Sequence, residues 1–330
     1  MKKVLAIVLA LTMVLALGVT AFADEGESFN VGVIQQLEHP ALDQATQGFV
    51  EKLTELLEAD GYEVNIDVQN AQNETANCAT IANQMVSDQV DLILANATSA
   101  LQAAAAATDE IPILGTSITD YATALDIPAE EWTGATGRNI SGTTDLADLE
   151  QQAAMLAELC PVEDYPNAGI LYCSAEANSV FQATEVKADL EELGYEVGEY
   201  TFADSNEIAS VVQNACDACD VLYIPTDNTA ANATETIDNV ALPAGVPIIA
   251  GEEGIMNGCG VATLSISYYN IGARAGEMAY DILVNGADVS IMEIEGAPQV
   301  KMAQAERCAE LNITIPDDYE IVSAEDAEAE

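Results

Sequence analysis

Positive charge is nearly missing from this chain. Of its 330 residues, eight are lysine or arginine and 56 are aspartate or glutamate, a formal net charge of −48. Such a surface repels phosphate backbones, which excludes nucleic-acid binding and disfavours anionic membranes and polyanionic substrates. Its ordinary benefit is solubility. Histidine occurs once, at His39, so a histidine-dependent triad would have to rest on that residue alone. Also lacking are a G-x-S-x-G nucleophile elbow, a phosphate-cradling P-loop, an H-E-x-x-H zinc helix and a G-x-G-x-x-G dinucleotide turn. Acids are so abundant that no pair stands out as glycosidic machinery. No catalysis and no cofactor are expected.

Cysteine is present but poorly patterned. Of the seven, only Cys216 and Cys219 have a motif spacing. Zinc wants four ligands, and the lone histidine is far away in sequence, so no metal is expected. A local disulfide is the alternative to buried or idle thiols, and an odd count leaves at least one thiol unpaired in a monomer. Beyond the N-terminus no apolar stretch is long enough to span a membrane.

The N-terminus carries an address. Lys2 and Lys3 precede an apolar run over 4–18, broken mildly by Thr12, and Ala21 and Ala23 stand one residue apart before Asp24. This is the layout of a secretory leader cleaved after Ala23. The run is short for a bilayer span of about 20 residues. With no cysteine at the boundary, lipid attachment is not supported. The expected location is the periplasm or the outer face of the cell membrane. The remaining length suits two lobes, and 323–330 reads as a solvated acidic tail.

Strands and helices alternate, and the order repeats. Val31, Gly32, Val33 and Ile34 resemble Ala168, Gly169, Ile170 and Leu171. Gln44, Ala45 and Thr46 reappear as Gln182, Ala183 and Thr184. Gly61, Tyr62, Glu63 and Val64 reappear as Gly194, Tyr195, Glu196 and Val197. The runs 91–95 and 111–114 have counterparts at 220–224 and 246–249. Matches in one order at nearly one offset predict an α/β fold of two similar Rossmann-like lobes with parallel sheets, joined by a multi-segment hinge. The expected lobes are 29–142 with about 266–292, and 143–265 with about 293–322. A linker is expected over 137–144 and a second crossing near 264–269, with the helix over 271–283 returning to the first lobe.

Ligands of open parallel sheets sit beyond the carboxyl ends of the strands. The candidates there are Gln36, His39, Thr98, Ser99, Thr116 and Ser117 in the first lobe. In the second they are Glu176, Asn178, Ser179, Asp227, Asn228 and Glu252. Taken singly, each is equally well read as a helix cap or turn residue. Together they place hydroxyls and helix N-termini, which favour a carboxylate, opposite acids, which favour an ammonium. That pairing suits a zwitterion such as an amino acid. Tyr172, Phe181, Tyr223, Tyr268 and Tyr269 are candidates to enclose its side chain or to serve as core.

Several of these segments carry a family resemblance. Glu38 to Asp43 followed by Gly48 and Phe49, Val90 to Ile93 with Ala97 and Thr98, and Asn139 to Gly142 with Thr144 and Asp145 are three of them. Glu176 to Ser179, Pro225 to Asn228, and Tyr268 and Tyr269 with Gly272 and Gly276 complete the set. Together they resemble the ABC-transporter substrate-binding family that includes tryptophan and tyrosine receptors, over 29–318. The resemblance implies a type I periplasmic-binding-protein-like fold, an amino acid ligand (aromatic in the best-known cases), no catalysis, and a membrane permease as partner. Two departures stand out. The lipid-anchoring cysteine usual in Gram-positive members is missing. The turn at 251–259 is also unlike the family's Asp-rich one, which leaves a branched amino acid, a nucleoside or a small sugar as alternative ligands. An adhesin with a vestigial cleft is a further alternative.

Overall fold

The computed structural model describes residues 28–323. The leader and residues 324–330 of the tail lie outside the described residues. Five strands build the first sheet: β1 (Ser28–Gln35), β2 (Glu63–Asn70), β3 (Leu92–Asn96), β4 (Ile113–Ile118) and β5 (Ile140–Thr144). Their order is β2-β1-β3-β4-β5, parallel throughout. The second sheet holds β6 (Asn167–Cys173), β7 (Glu196–Phe202), β8 (Val221–Ile224), β9 (Ile248–Ala250), β10 (Ala262–Ser265), β11 (Val300–Gln304) and β12 (Glu320–Val322). It runs β12-β11-β10-β9-β8-β6-β7, and only the β10–β11 pair is antiparallel. Without β11 and β12 the second order repeats the first, strand for strand. The repeat in the sequence is thus a repeat of topology.

The burial explains why these strands read as apolar runs. Both faces of each sheet are covered, so alternate residues of one strand enter different cores. Leu92 and Leu94 face Phe49, Leu53 and Met278, whereas Ile93 and Ala95 face Ile81, Met85 and Leu101. Ala168 and Ile170 likewise join one core of the second lobe, and Leu171 and Cys173 the other. The edge strands are exceptions, β2 most clearly. Its half-exposed residues keep the simple alternation of a strand with one solvated face.

Three segments cross between the lobes. The segment 137–144, expected as a linker, is not one. Residues 140–144 form β5, hydrogen-bonded to β4, and the first crossing begins at Asp145. The chain returns after β10 into the helix Tyr268–Leu283. It crosses again between Glu295, which bridges to Thr143, and β11. The helix Tyr268–Leu283 lies against Pro40–Ala59 with almost no gap. A Cβ added at Gly272 would come within 1.9 Å of the Ala45 carbonyl oxygen, and one at Gly48 within 2.2 Å of that of Tyr269. No larger residue fits either place.

Candidate ligand-binding cleft

The carboxyl ends of the two sheets face one another, and the loops beyond them touch. The His39 ring shares a 3.3 Å hydrogen bond with Asn228 Oδ1, and Asn73 Nδ2 donates to Thr229 Oγ1 at 3.1 Å. Two grooves flank this contact in pseudo-symmetric positions. One, of 620 Å³, runs between the start of Pro40–Ala59 and the helix Glu253–Cys259. The other, of 400 Å³, runs between Tyr121–Ala124 and the start of Ala177–Glu192. The first is lined by Asp43, Gln44, Gln47, Glu252 and Arg307, and the second by Ala177, Val180 and Phe181.

In the second lobe the acids serve their own lobe. Glu176 accepts the backbone N–H groups of Asn228 and Thr229 at 3.0 and 2.9 Å, the Thr229 hydroxyl at 2.6 Å and the Asn228 amide at 2.8 Å. It thereby caps a helix that is not its own. Asn178 Nδ2 donates to the Thr226 carbonyl at 3.0 Å, and the Ser179 hydroxyl bonds Asp227. Asp227 accepts Cys173 N–H at 2.6 Å and Ala230 N–H at 2.7 Å. Burial, with the charge of Glu176 nearby, pushes its carboxyl up to about 7. With five donors on its two oxygens, Glu176 presents no free lone pair to an incoming ammonium, whereas Asp227 accepts three. Glu252 caps Glu253–Cys259 through the N–H groups of Gly254 and Ile255 at 2.7 and 2.6 Å. Burial, then the charges of Glu253 and Asp145, raise it to about 7.

The first lobe's rim is less settled. Gln36 Oε1 accepts Ser99 N–H at 3.1 Å, so that part of the helix start at Thr98 is already occupied. Gln36 Nε2 donates to Asn73, which continues the chain of bonds to Thr229. Thr98 is buried as the first helical residue. Thr116 lies inside the lobe, accepting from the Thr143 hydroxyl at 3.0 Å rather than facing the cleft. Ser117 differs: its buried hydroxyl has no partner, and its φ is +55°. Ala97, at the end of the neighbouring strand, has φ +83° and ψ 161°, a region open to little but glycine. Strain of this kind concentrates at ligand clamps and switch regions. Burial lowers the pKa of the His39 ring, partly offset by its bond to Asn228. Since the Asn228 amide nitrogen donates to Glu176, its oxygen must accept, so His39 donates through Nε2 and leaves a buried Nδ1 without a partner.

Asp145 was not among the residues singled out from the sequence. It stands where the chain leaves β5, is 4% exposed, and accepts the Thr119 hydroxyl and the Tyr268 hydroxyl, each at 3.0 Å. Across the hinge the Thr226 hydroxyl donates to the Gly251 carbonyl at 3.3 Å. The relay Thr119–Asp145–Tyr268 therefore joins the end of the first sheet to the start of the return helix, at the hinge. Burial raises Asp145 to about 6. The available signal was its place in the motif with Thr144, but its burial is a tertiary fact.

The profile of the ABC transporter substrate binding protein family matches residues 30–327. This chain belongs to that family. A tyrosine-binding protein of Clostridioides difficile (strain R20291) is 35% identical over 260 residues, 79% of this chain and 74% of its own. The L-Trp complex of an ABC domain from Streptococcus pneumonia matches with TM-score 0.83 at 28% identity, over 90% of this chain and 100% of its own. A ligand-free, open substrate-binding protein with adhesive properties from Clostridium difficile matches with TM-score 0.67 at 32% identity, over 89% and 99%.

As an ABC-transporter substrate-binding protein the molecule is extracytoplasmic, takes a small-molecule ligand, works with a membrane transporter and is not an enzyme. Among its described residues no helix is long and apolar enough to cross a membrane, no cluster suits a metal ion, and all seven cysteines are free. The candidate aromatics separate. Tyr223 bonds Gln152 in the core, Tyr172 bonds Glu199, and Tyr269 bonds Glu51 at the surface. Phe181 lines a cleft-side groove and Tyr268 joins the hinge relay.

Proposed function

We propose that this protein binds an aromatic amino acid between its lobes, closes on it and presents it to an ABC importer. One observation carries the reading. The likeness is greater to the L-Trp complex, at TM-score 0.83, than to the ligand-free open relative, at 0.67, although the latter is more identical in sequence. A lobe arrangement of the ligand-bound kind accounts for that order. Ser117, the helix start at Thr98 and Ser99, and the strained backbone at Ala97 then form the carboxylate side of the site. His39 with Asn228, and Asn73 with Thr229, tie the jaws together, while Gln36 and Asn178 brace their own lobes behind them. The leader over 1–23 exports the chain, and the lobes move as units about the three crossings.

Titration calorimetry of the refolded, ligand-stripped protein with tyrosine, tryptophan and phenylalanine tests this. Micromolar binding, about −8 kcal/mol, is expected for at least one. No binding at millimolar concentration sinks the reading. A thermal-shift screen against leucine, nucleosides and small sugars then identifies the class, since ligand at about 100 times its Kd adds about 2.7 kcal/mol of stability. The adhesive relative favours a second role at the cell surface. Attachment to host cells that survives loss of ligand binding would separate that role from transport.

A further inference from the structure

The two ties across the cleft end on one carboxylate. His39 Nε2 donates to Asn228 Oδ1 at 3.3 Å, and the Asn228 amide donates in turn to Glu176 at 2.8 Å. Asn73 Nδ2 donates to Thr229 Oγ1 at 3.1 Å, and that hydroxyl donates to Glu176 at 2.6 Å. Only the first tie contains an imidazole, the side chain whose charge ordinarily changes between pH 5 and 8. The ring is 7% exposed, and no acceptor meets its Nδ1. Two charged groups face it: Asp43 from its own helix and Glu176 from the second lobe. Neither hydrogen-bonds Nδ1. Glu176 is filled by Asn178, Asn228 and Thr229, and Asp43 accepts the Gln35 amide at 2.5 Å. The other side chains of the contact, Gln36, Asn73, Asn228 and Thr229, carry no charge. An imidazolium in this place buries a positive charge and a second N–H that nothing accepts. Parting the lobes removes Asn228 and gives both ring nitrogens to water.

We propose that the His39–Asn228 contact is a proton-gated latch: the neutral ring lets the lobes close over ligand, and the protonated ring holds them apart. This rests on the closure reading above and adds to it a condition for release. Burial of the ring in the closed state outweighs its bond to Asn228 and the pull of Asp43 and Glu176, so closure lowers its pKa. The open state therefore holds the proton more tightly, and closing at or below about pH 6.5 expels it. Closure is at full strength above that pH and weakens as pH falls. Ligand captured in neutral surroundings is given up more readily in acidic ones. The Asn73–Thr229 tie does not titrate, so acid removes one bond across the cleft and leaves the other.

Calorimetry with L-tyrosine and L-tryptophan at pH 5.5 and pH 7.5, on wild type and His39→Gln, tests the latch. Glutamine keeps an amide donor in reach of Asn228 and has no proton to gain. Asp145, Asp227 and Glu252 hold protons when buried, the opposite sense, and cancel in the comparison of the two proteins. The wild-type affinity relative to that of the variant is expected to fall several-fold from pH 7.5 to pH 5.5. The limit is about tenfold, set by an exposed imidazole titrating near 6.5. A ratio that stays constant or rises overturns the latch and leaves amino acid binding intact. Failure of wild type to bind either amino acid at both pH values overturns the binding reading, and the latch with it.

If His39→Gln does not fold, the wild type decides alone. His39 is the only histidine in the chain, so the protein gives one imidazole Cε1–H resonance. Followed by NMR against pH, that resonance is expected to titrate lower with saturating L-tyrosine or L-tryptophan than without. The same midpoint in both states, or a higher one with the amino acid, overturns the proposal.

Discussion

Glu176 and His39 hold the same place in the two lobes, each just ahead of its lobe's first helix, and both reach Asn228. They use it differently. Glu176 grips it from within the lobe and completes a helix start. His39 reaches it across the cleft and keeps one ring nitrogen without a partner. The difference extends along both rims. In the second lobe Glu176, Asp227 and Glu252 each satisfy backbone N–H groups. In the first, Ala97 and Ser117 carry strain and Ser117 an idle hydroxyl. The second copy has its rim carboxylates engaged, although Asn257 and Arg307 each keep an unpartnered atom beside the larger groove. The first adds backbone strain to its idle groups at His39 and Ser117.

Removing one of the second lobe's rim carboxylates is the strongest way to break this contrast. Glu176→Ala strips partners from Asn228 and Thr229 and is expected to cost about 3 kcal/mol of stability, measured by denaturant unfolding. Unchanged stability with lost ligand affinity would instead make Glu176 a ligand contact. The next effect is one of pH. Asp145, Asp227 and Glu252 hold protons in the folded state at about 6, 7 and 7, whereas the unfolded chain releases them near 4. The folded state binds more protons in between, so stability from these groups is fullest at low pH and is lost as pH rises through about 6 to 7. Melting temperature of the ligand-free protein should therefore fall by several °C between about pH 5 and pH 8, and a flat profile would reject the buried-acid account.

Smaller effects sharpen the other jaw. Ala97→Gly relieves the positive φ and is expected to stabilise the protein by about 1 kcal/mol without strengthening ligand binding. A destabilised variant would mean that the methyl group packs more usefully than its backbone costs. His39→Leu loses one bond across the cleft and is expected to weaken ligand binding about threefold, leaving unfolding of the ligand-free protein nearly unchanged.

Much of this fold was legible in the chain. Parallel strands buried on both faces read as apolar runs such as 92–95 and 221–224. Repeated turns such as Gly61-Tyr62 and Gly194-Tyr195 fixed the period. What escaped were strands whose identity depends on neighbours. Residues 140–144 are short and rich in Gly, Ser and Thr, and β11 and β12 pair only because an antiparallel partner is available at β10. The site was half legible for a similar reason. Residue type and position beyond a strand marked Ser117 and Glu252, but not the difference between Thr116, whose hydroxyl turns inward, and Ser117, whose hydroxyl stays unpartnered. Nor did type reveal that Glu176 is saturated, because most of its partners come from the segment at 228–229.

The near-contact of Gly48 and Gly272 bears on how such a molecule can move. Two helices that meet backbone to backbone can neither slide nor roll against one another, because any shift drives a carbonyl into the opposite chain. The return helix is thus riveted to the first lobe, and its N-terminal residue Tyr268 marks a fixed pivot. Rotation has to be absorbed in the few residues on the far side of that rivet, at 266–267, and in the other two crossings. Tyr268 would then act as the fulcrum of a lever, turning a small displacement at Asp145 into a large swing at the distant ends of the lobes.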